Sequence, residues 1–142
     1  MTKFNRSITT EYELATDGRV RSVGRFCDDY HDFTCRLIFI LPSLEIVEAK
    51  VETGKLPEEI CRVPLEKISS LKGLKIERGF RQKAKRLIGG KKGCIHLLDL
   101  ISELAQGVVA LLRKARMTPD GRELKDFPRE IFYGECIGLD GR

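Results

Sequence analysis

The chain contains two histidines and five cysteines, and each histidine lies within four residues of a cysteine: His31 precedes Cys35, and Cys94 precedes His96. Thiolate and imidazole are the nucleophiles and the soft metal ligands of protein chemistry. Cys94 has the stronger physical case. It follows Gly89-Gly90-Lys91-Lys92-Gly93 and precedes a long apolar-periodic segment. It is therefore expected at a helix start, where unpaired N–H groups, the helix dipole and two neighbouring ammonium groups favour a thiolate. The same geometry suits an anion held by Gly89, Gly90, Lys91, Lys92 and Gly93. It is not a P-loop, because the spacing is wrong and no Lys-Ser/Thr pair follows. His96, Asp99 and Glu103 share a polar helical stripe, which could serve a metal ligand or proton carrier, or could be a salt-bridged surface. In Asp28-Asp29-Tyr30-His31-Asp32-Phe33-Thr34-Cys35, carboxylates, imidazole and thiol lie close enough together for zinc or iron. An Asp-rich turn explains the same residues. Cys61, taken alone, reads as a core residue.

These groups must be placed by elements of two kinds. The first half reads as β. Arg19 to Asp28 follows an Asp17-Gly18 turn, Phe33 to Leu41 is rich in β-branched and aromatic residues, and Leu44 to Glu52 follows Pro42-Ser43. The second half reads as α. Pro57-Glu58-Glu59 opens a helix that Pro64 is expected to break or kink, and Gly73 ends the segment that follows. A short basic helix is expected over 78–88 and the longest helix over 93–116. Its stripe is Leu97, Leu100, Ile101, Leu104, Val108, Leu111 and Leu112. Strands before helices predict an α+β fold: a small antiparallel sheet of about three strands covered on one face by helices. The domain is expected over 1–116, with an irregular tail over 117–142.

The 142 residues suit one domain, and the apolar fraction of 42% is near the globular average. No uninterrupted apolar run approaches the ~20 residues of a membrane span, and the start lacks a secretory h-region. A cytoplasmic location and no membrane partner are the resulting expectations. In a reducing compartment, five cysteines without a CxxC pair read as free thiols, metal ligands or a catalytic thiol. The net charge of +5 is concentrated between Lys72 and Lys92. Arg78, Arg81, Lys83, Lys85 and Arg86 form a basic patch that suits an acidic protein or a phosphate-bearing ligand, or is simply a solvated helix face. Phe80 is the only aromatic residue within it, which argues against single-stranded nucleic acid.

The order Cys61, Leu65, Leu71-Lys72-Gly73-Leu74, Gly79-Phe80 and Gly93-Cys94-Ile95-His96-Leu97 resembles a family of bacterial proteins, domain-of-unknown-function family 2889. The likeness spans about Gly24 to Leu112. Ile95 stands where that family usually has threonine, and the resemblance implies no established activity. More distantly, the layout is similar to iron–sulfur cluster scaffold proteins of the NifU-like N-terminal type. That resemblance implies a site drawn from the turn before a strand, the loop after the sheet and the start of a late helix. In this chain those are His31-Asp32, Cys61 and Cys94. The scaffold's first cysteine is replaced by Tyr30-His31, and the glycine-rich setting of its second cysteine is missing around Cys61.

Two readings of function follow. The first is a scaffold-like protein that handles metal or sulfur, with Cys94 as principal thiolate and Cys61, His31, Asp32 and His96 as partners. It would hold zinc or an iron–sulfur unit, or carry a persulfide. The second is a non-catalytic accessory module whose basic segment 72–92 binds an acidic protein or a phosphate-bearing ligand. A thiol enzyme with Cys94 as nucleophile and His96 as base ranks below both, because residues i and i+2 of one helix point apart. It regains force if His31 folds over the thiol. No residue is assigned as catalytic.

Overall fold

A computed structural model describes residues 1–117 of the chain, so the expected tail, with Cys136, lies outside the described residues but for Met117. Four strands come first: β1 (Arg6–Leu14), β2 (Arg19–Asp28), β3 (Asp32–Ile40) and β4 (Glu45–Lys55). They form one antiparallel meander in the order β1-β2-β3-β4. Three helices follow: α1 (Arg62–Glu66), α2 (Phe80–Ile88) and α3 (Ile95–Ala115). The architecture is α+β. β2, β3 and β4 lie where apolar alternation places them. β1 is an addition, since only its inward-facing Tyr12 and Leu14 pack against the core, and then partly.

Alternation decides which side chains meet the helices. On β2 the inward series is Val20, Ser22, Gly24, Phe26 and Asp28; on β3 it is Phe33, Cys35, Leu37 and Phe39. α3 lies across β1 and β2 and buries Leu97, Leu100, Ile101, Leu104, Val108 and Leu112. Each such aliphatic side chain contributes about 1.5–3 kcal/mol when fully buried. Close approach of α3 needs Gly24, because a Cβ there would meet Leu100 Cδ1 at 2.8 Å and Leu104 Cδ2 at 3.0 Å. Tyr12 Oη donates to the Glu103 carbonyl at 3.0 Å and pins β1 to the same helix. By length and composition α3 could cross a membrane, with a mean hydropathy of 1.6. Its apolar stripe is nevertheless the covering layer of the sheet.

Between sheet and helices the chain departs from the expected path. Glu59–Cys61 is a 3₁₀ turn, not the start of a longer helix. Pro64 lies in the first turn of α1, where a missing N–H breaks no helical hydrogen bond, so it begins that helix rather than interrupting it. Segment 73–76 then returns to β4: Ile46 N donates to Leu74 O at 2.8 Å, and Ile76 N to Leu44 O at 3.0 Å. α2 follows, tied to α3 by Arg81, which donates to Asp99 Oδ1 at 2.7 Å and Ser102 Oγ at 2.8 Å.

Candidate functional site: a cysteine at the end of a histidine–aspartate chain

The site is built from the turn that joins β2 to β3. Asp28 ends the inward series of β2, and its side chain is wholly buried. Its Oδ1 accepts from the Tyr30 and His31 amides, each at 2.8 Å, and lies 2.9 Å from His31 Nδ1. Its Oδ2 accepts from Arg6 Nε at 2.9 Å. Burial opposes ionisation of Asp28, but the bonds from His31, Tyr30 and Arg6 outweigh it and hold the carboxyl well below the usual carboxylate range. A charged Asp28 makes His31 Nδ1 the protonated nitrogen and fixes the ring, which is itself buried.

The second half of the site is the start of α3. Cys94 is its N-cap, with extended backbone (φ −132°, ψ 117°), and its Sγ accepts from the Leu97 amide at 3.4 Å. That bond and the helix N-terminus present positive charge to the sulfur. His96 Nδ1 lies 3.9 Å from Cys94 Sγ. The objection that i and i+2 point apart holds for two residues inside a helix. Cys94 stands outside the helix, at its cap, so its side chain turns back over the first turn toward His96.

The fold then joins the two halves. The His31 and His96 rings are 4.3 Å apart between centroids and tilted by 49°. Phe26 underlies both, at 5.5 Å from His31 and 5.0 Å from His96. The Arg6 guanidinium lies 5.0 Å above the Phe26 ring. Cys94, His96, His31 and Asp28 thus form one contiguous cluster, in which the link between the two histidines is a ring contact. Burial lowers the affinity of His96 for a proton, and the neighbouring His31 and Arg6 lower it further, against the opposing pull of Asp28 and Asp99. These effects favour the neutral imidazole of His96 over the imidazolium.

Residues 4–110, which contain every member of this cluster, match the sequence pattern of the family described as protein of unknown function (DUF2889). The chain belongs to that family. No curated protein and no solved structure matches it. For this DUF2889 protein, the resemblance to iron–sulfur scaffolds accordingly rests on the order of residues alone.

The remaining candidates occupy other positions. Asp32 begins β3 on the face turned away from the helices. Its oxygens accept from Arg25 Nε and Nη2 at 2.9 and 2.8 Å, and that pairing lowers its proton affinity. Cys61 closes the 3₁₀ turn after β4 and, among the described residues, no hydrogen bond or ion pair joins it to the Cys94 cluster. Among the described residues no group of three or more His, Cys, Asp and Glu side chains is arranged to hold a metal ion. In the glycine-rich turn, Gly93 N donates to Gly90 O at 3.1 Å and Cys94 N to Ile88 O at 2.9 Å. Those two amides are committed to the turn. A Cβ on Gly93 would collide with the carbonyls of Ile88 and Gly89, so this glycine is needed for a close backbone crossing immediately before Cys94. In the basic patch, Arg81 ties α2 to α3 and Lys83 pairs with Glu77 at 2.8 Å.

Asp28 and Arg6 belong to the cluster, although the sequence reading singled out Asp32 among the carboxylates of segment 28–35 and did not consider Arg6. For Asp28 a signal existed: Val20, Ser22, Gly24 and Phe26 share its parity, which puts Asp28 on the helix-covered face and Asp32 on the other. Arg6 could be found only by recognising β1, whose register sets it opposite Asp28.

Proposed function

We propose that this DUF2889 protein handles sulfur through Cys94, as the acceptor and carrier of a sulfane sulfur atom. The observation that supports the reading is the Cys94–His96 contact with His96 packed against an Asp28-anchored His31. In the proposed step the Cys94 sulfur attacks the outer sulfur of a donor persulfide, R–S–SH. A new S–S bond forms at Cys94 as the donor's S–S bond breaks, and the donor departs as a thiol. The Cys94 proton passes to His96 and then to the departing thiolate. His31 holds the His96 ring in place and is itself oriented by Asp28, so both act as positioning residues. The helix N-terminus at Cys94 favours negative charge on sulfur during attack.

Zinc or an iron–sulfur unit at the same residues is the less supported form of the reading. The donor set that it requires includes Asp32, which is held by Arg25, and Cys61, which among the described residues has no polar link to the cluster. A carboxylate is available in Asp28, but its Oδ1 already accepts from Tyr30 and His31 and its Oδ2 from Arg6.

The test is to treat the reduced protein with a small-molecule persulfide and map the adducts by peptide mass spectrometry. A gain of one sulfur atom on the Cys94 peptide, abolished in Cys94→Ser and slowed in His96→Ala, is the expected outcome. Equal gains on Cys27 and Cys61, or no gain on Cys94, would overturn the proposal. A stoichiometric transition metal in anaerobically purified protein, lost in Cys94→Ser, would replace it with the metal reading.

A further inference from the structure

The two edges of the sheet differ in how they are protected. The start of β4 is covered by segment 73–76, and the β3–β4 register shifts between Asp32/Phe33 and between Ile38/Phe39. β1 has neither device. Its register with β2 runs without a shift from Arg6↔Asp28 to Leu14↔Val20, it contains no proline or lysine, and among the described residues no segment pairs with its outer side. Such an edge is a template for another strand.

The hydrogen-bond pattern shows which residues offer that template. Ala15 N donates to Arg19 O at 2.9 Å, so these two form a hydrogen-bonded pair. Antiparallel pairs alternate, and the register therefore assigns Ser7, Thr9, Glu11 and Glu13 to bonds with β2. Arg6, Ile8, Thr10, Tyr12 and Leu14 aim their N–H and C=O groups outward. Self-pairing requires outward residues to face outward residues, and a two-fold axis at Thr10 satisfies this. Thr10 then faces Thr10, Ile8 faces Tyr12 on the helix-covered side, and Thr9 faces Glu11 on the other. Moving the axis to Glu11 would set two carboxylates opposite each other, and moving it to Thr9 would lose the Ile8–Tyr12 pair. Ile8 is 40% exposed and is an unburied apolar side chain of this edge. Cross-strand pairing with an aromatic ring is the contact that favours a β-branched residue there.

We propose that β1 is the pairing edge of a homodimer, in which two copies of the chain join antiparallel about Thr10 into one eight-stranded sheet. The proposal is independent of the chemistry assigned to Cys94. Sedimentation equilibrium of the full chain is the test. The expected result is a dimer that dissociates on dilution. Thr10→Pro removes an outward N–H while leaving the ladder to β2 intact, and it should abolish the dimer without changing the far-UV circular dichroism. Ile8→Glu places a charge opposite Tyr12 twice per dimer and should weaken association by about tenfold or more. It decides the matter if Thr10→Pro fails to fold. A monomer at every concentration, or a dimer of unchanged strength in Ile8→Glu, would overturn the proposal.

Discussion

Asp28→Asn is the most informative single substitution, because it keeps the shape of a buried group and removes only its charge. Four donors converge on Asp28: Arg6 Nε, two backbone amides and His31 Nδ1, all within 2.9 Å. A hydrogen bond to a charged group contributes about 1.5–3 kcal/mol, against about 1 kcal/mol for a neutral one. The amide keeps one acceptor oxygen for the His31 and Tyr30 donors but turns its own NH₂ toward Arg6, donor against donor. The Arg6 side chain is 43% exposed, so water offsets part of that loss. The balance is a destabilisation of about 2–3 kcal/mol. Asp32→Asn is the matched comparison. It also loses an arginine pair, but on a face open to solvent, and should cost at most about 1 kcal/mol. Urea unfolding followed by circular dichroism measures both. The pH dependence has a defined sign. The folded state holds the Asp28 carboxyl below its unfolded value, so its stabilisation is complete above about pH 4 and is lost on further acidification. Asp28→Asn should flatten that acid limb. Equal losses in the two variants, or a loss of less than about 0.5 kcal/mol for Asp28→Asn, would refute the account of Asp28 as the buried anchor of the turn.

His96 has a lowered proton affinity in the fold, so the unfolded chain binds more protons below about pH 6.5 and stability should fall as pH drops through that value; His96→Ala should remove this component from the urea midpoint-versus-pH curve. Gly93→Ala forces a Cβ into two backbone carbonyls, which cannot yield as a side chain can. A loss of about 2–3 kcal/mol in thermal unfolding is expected. Cys35 is fully buried, and burial pushes its thiol up to about 12. Mass-spectrometric mapping of the native protein should find it unmodified after Cys94 has reacted completely.

Much of the fold was legible because it depends on local pattern. Alternation located β2, β3 and β4, and the 3.6-residue stripe located α3 to within two residues at its N-terminal end. β1 was missed for a physical reason: an edge strand covered on one face by a single helix needs few apolar residues. Pro64 was misjudged because its effect depends on where a helix begins, which the folded path of segment 56–66 decides. The expected site was legible in part. Cys94 was recognisable as a helix cap from its glycines and the periodic run after it. Asp32 entered through the resemblance to scaffold proteins, whose acidic residue lies in the turn before a strand, and strand parity places Asp28 instead on the helix-covered face.

By itself the sequence determined β2, β3, β4, α3 and the placing of Cys94 at a helix N-terminus, since these depend on neighbours within a turn or a pleat. Only the tertiary structure decided that His31 meets His96, that Arg6 closes over Asp28, and that Asp32 pairs with Arg25 on the opposite face. Those outcomes depend on how closely α3 approaches β2 at Gly24 and on which edge β1 takes. Packing between distant segments settles both, and no periodicity along the chain records it.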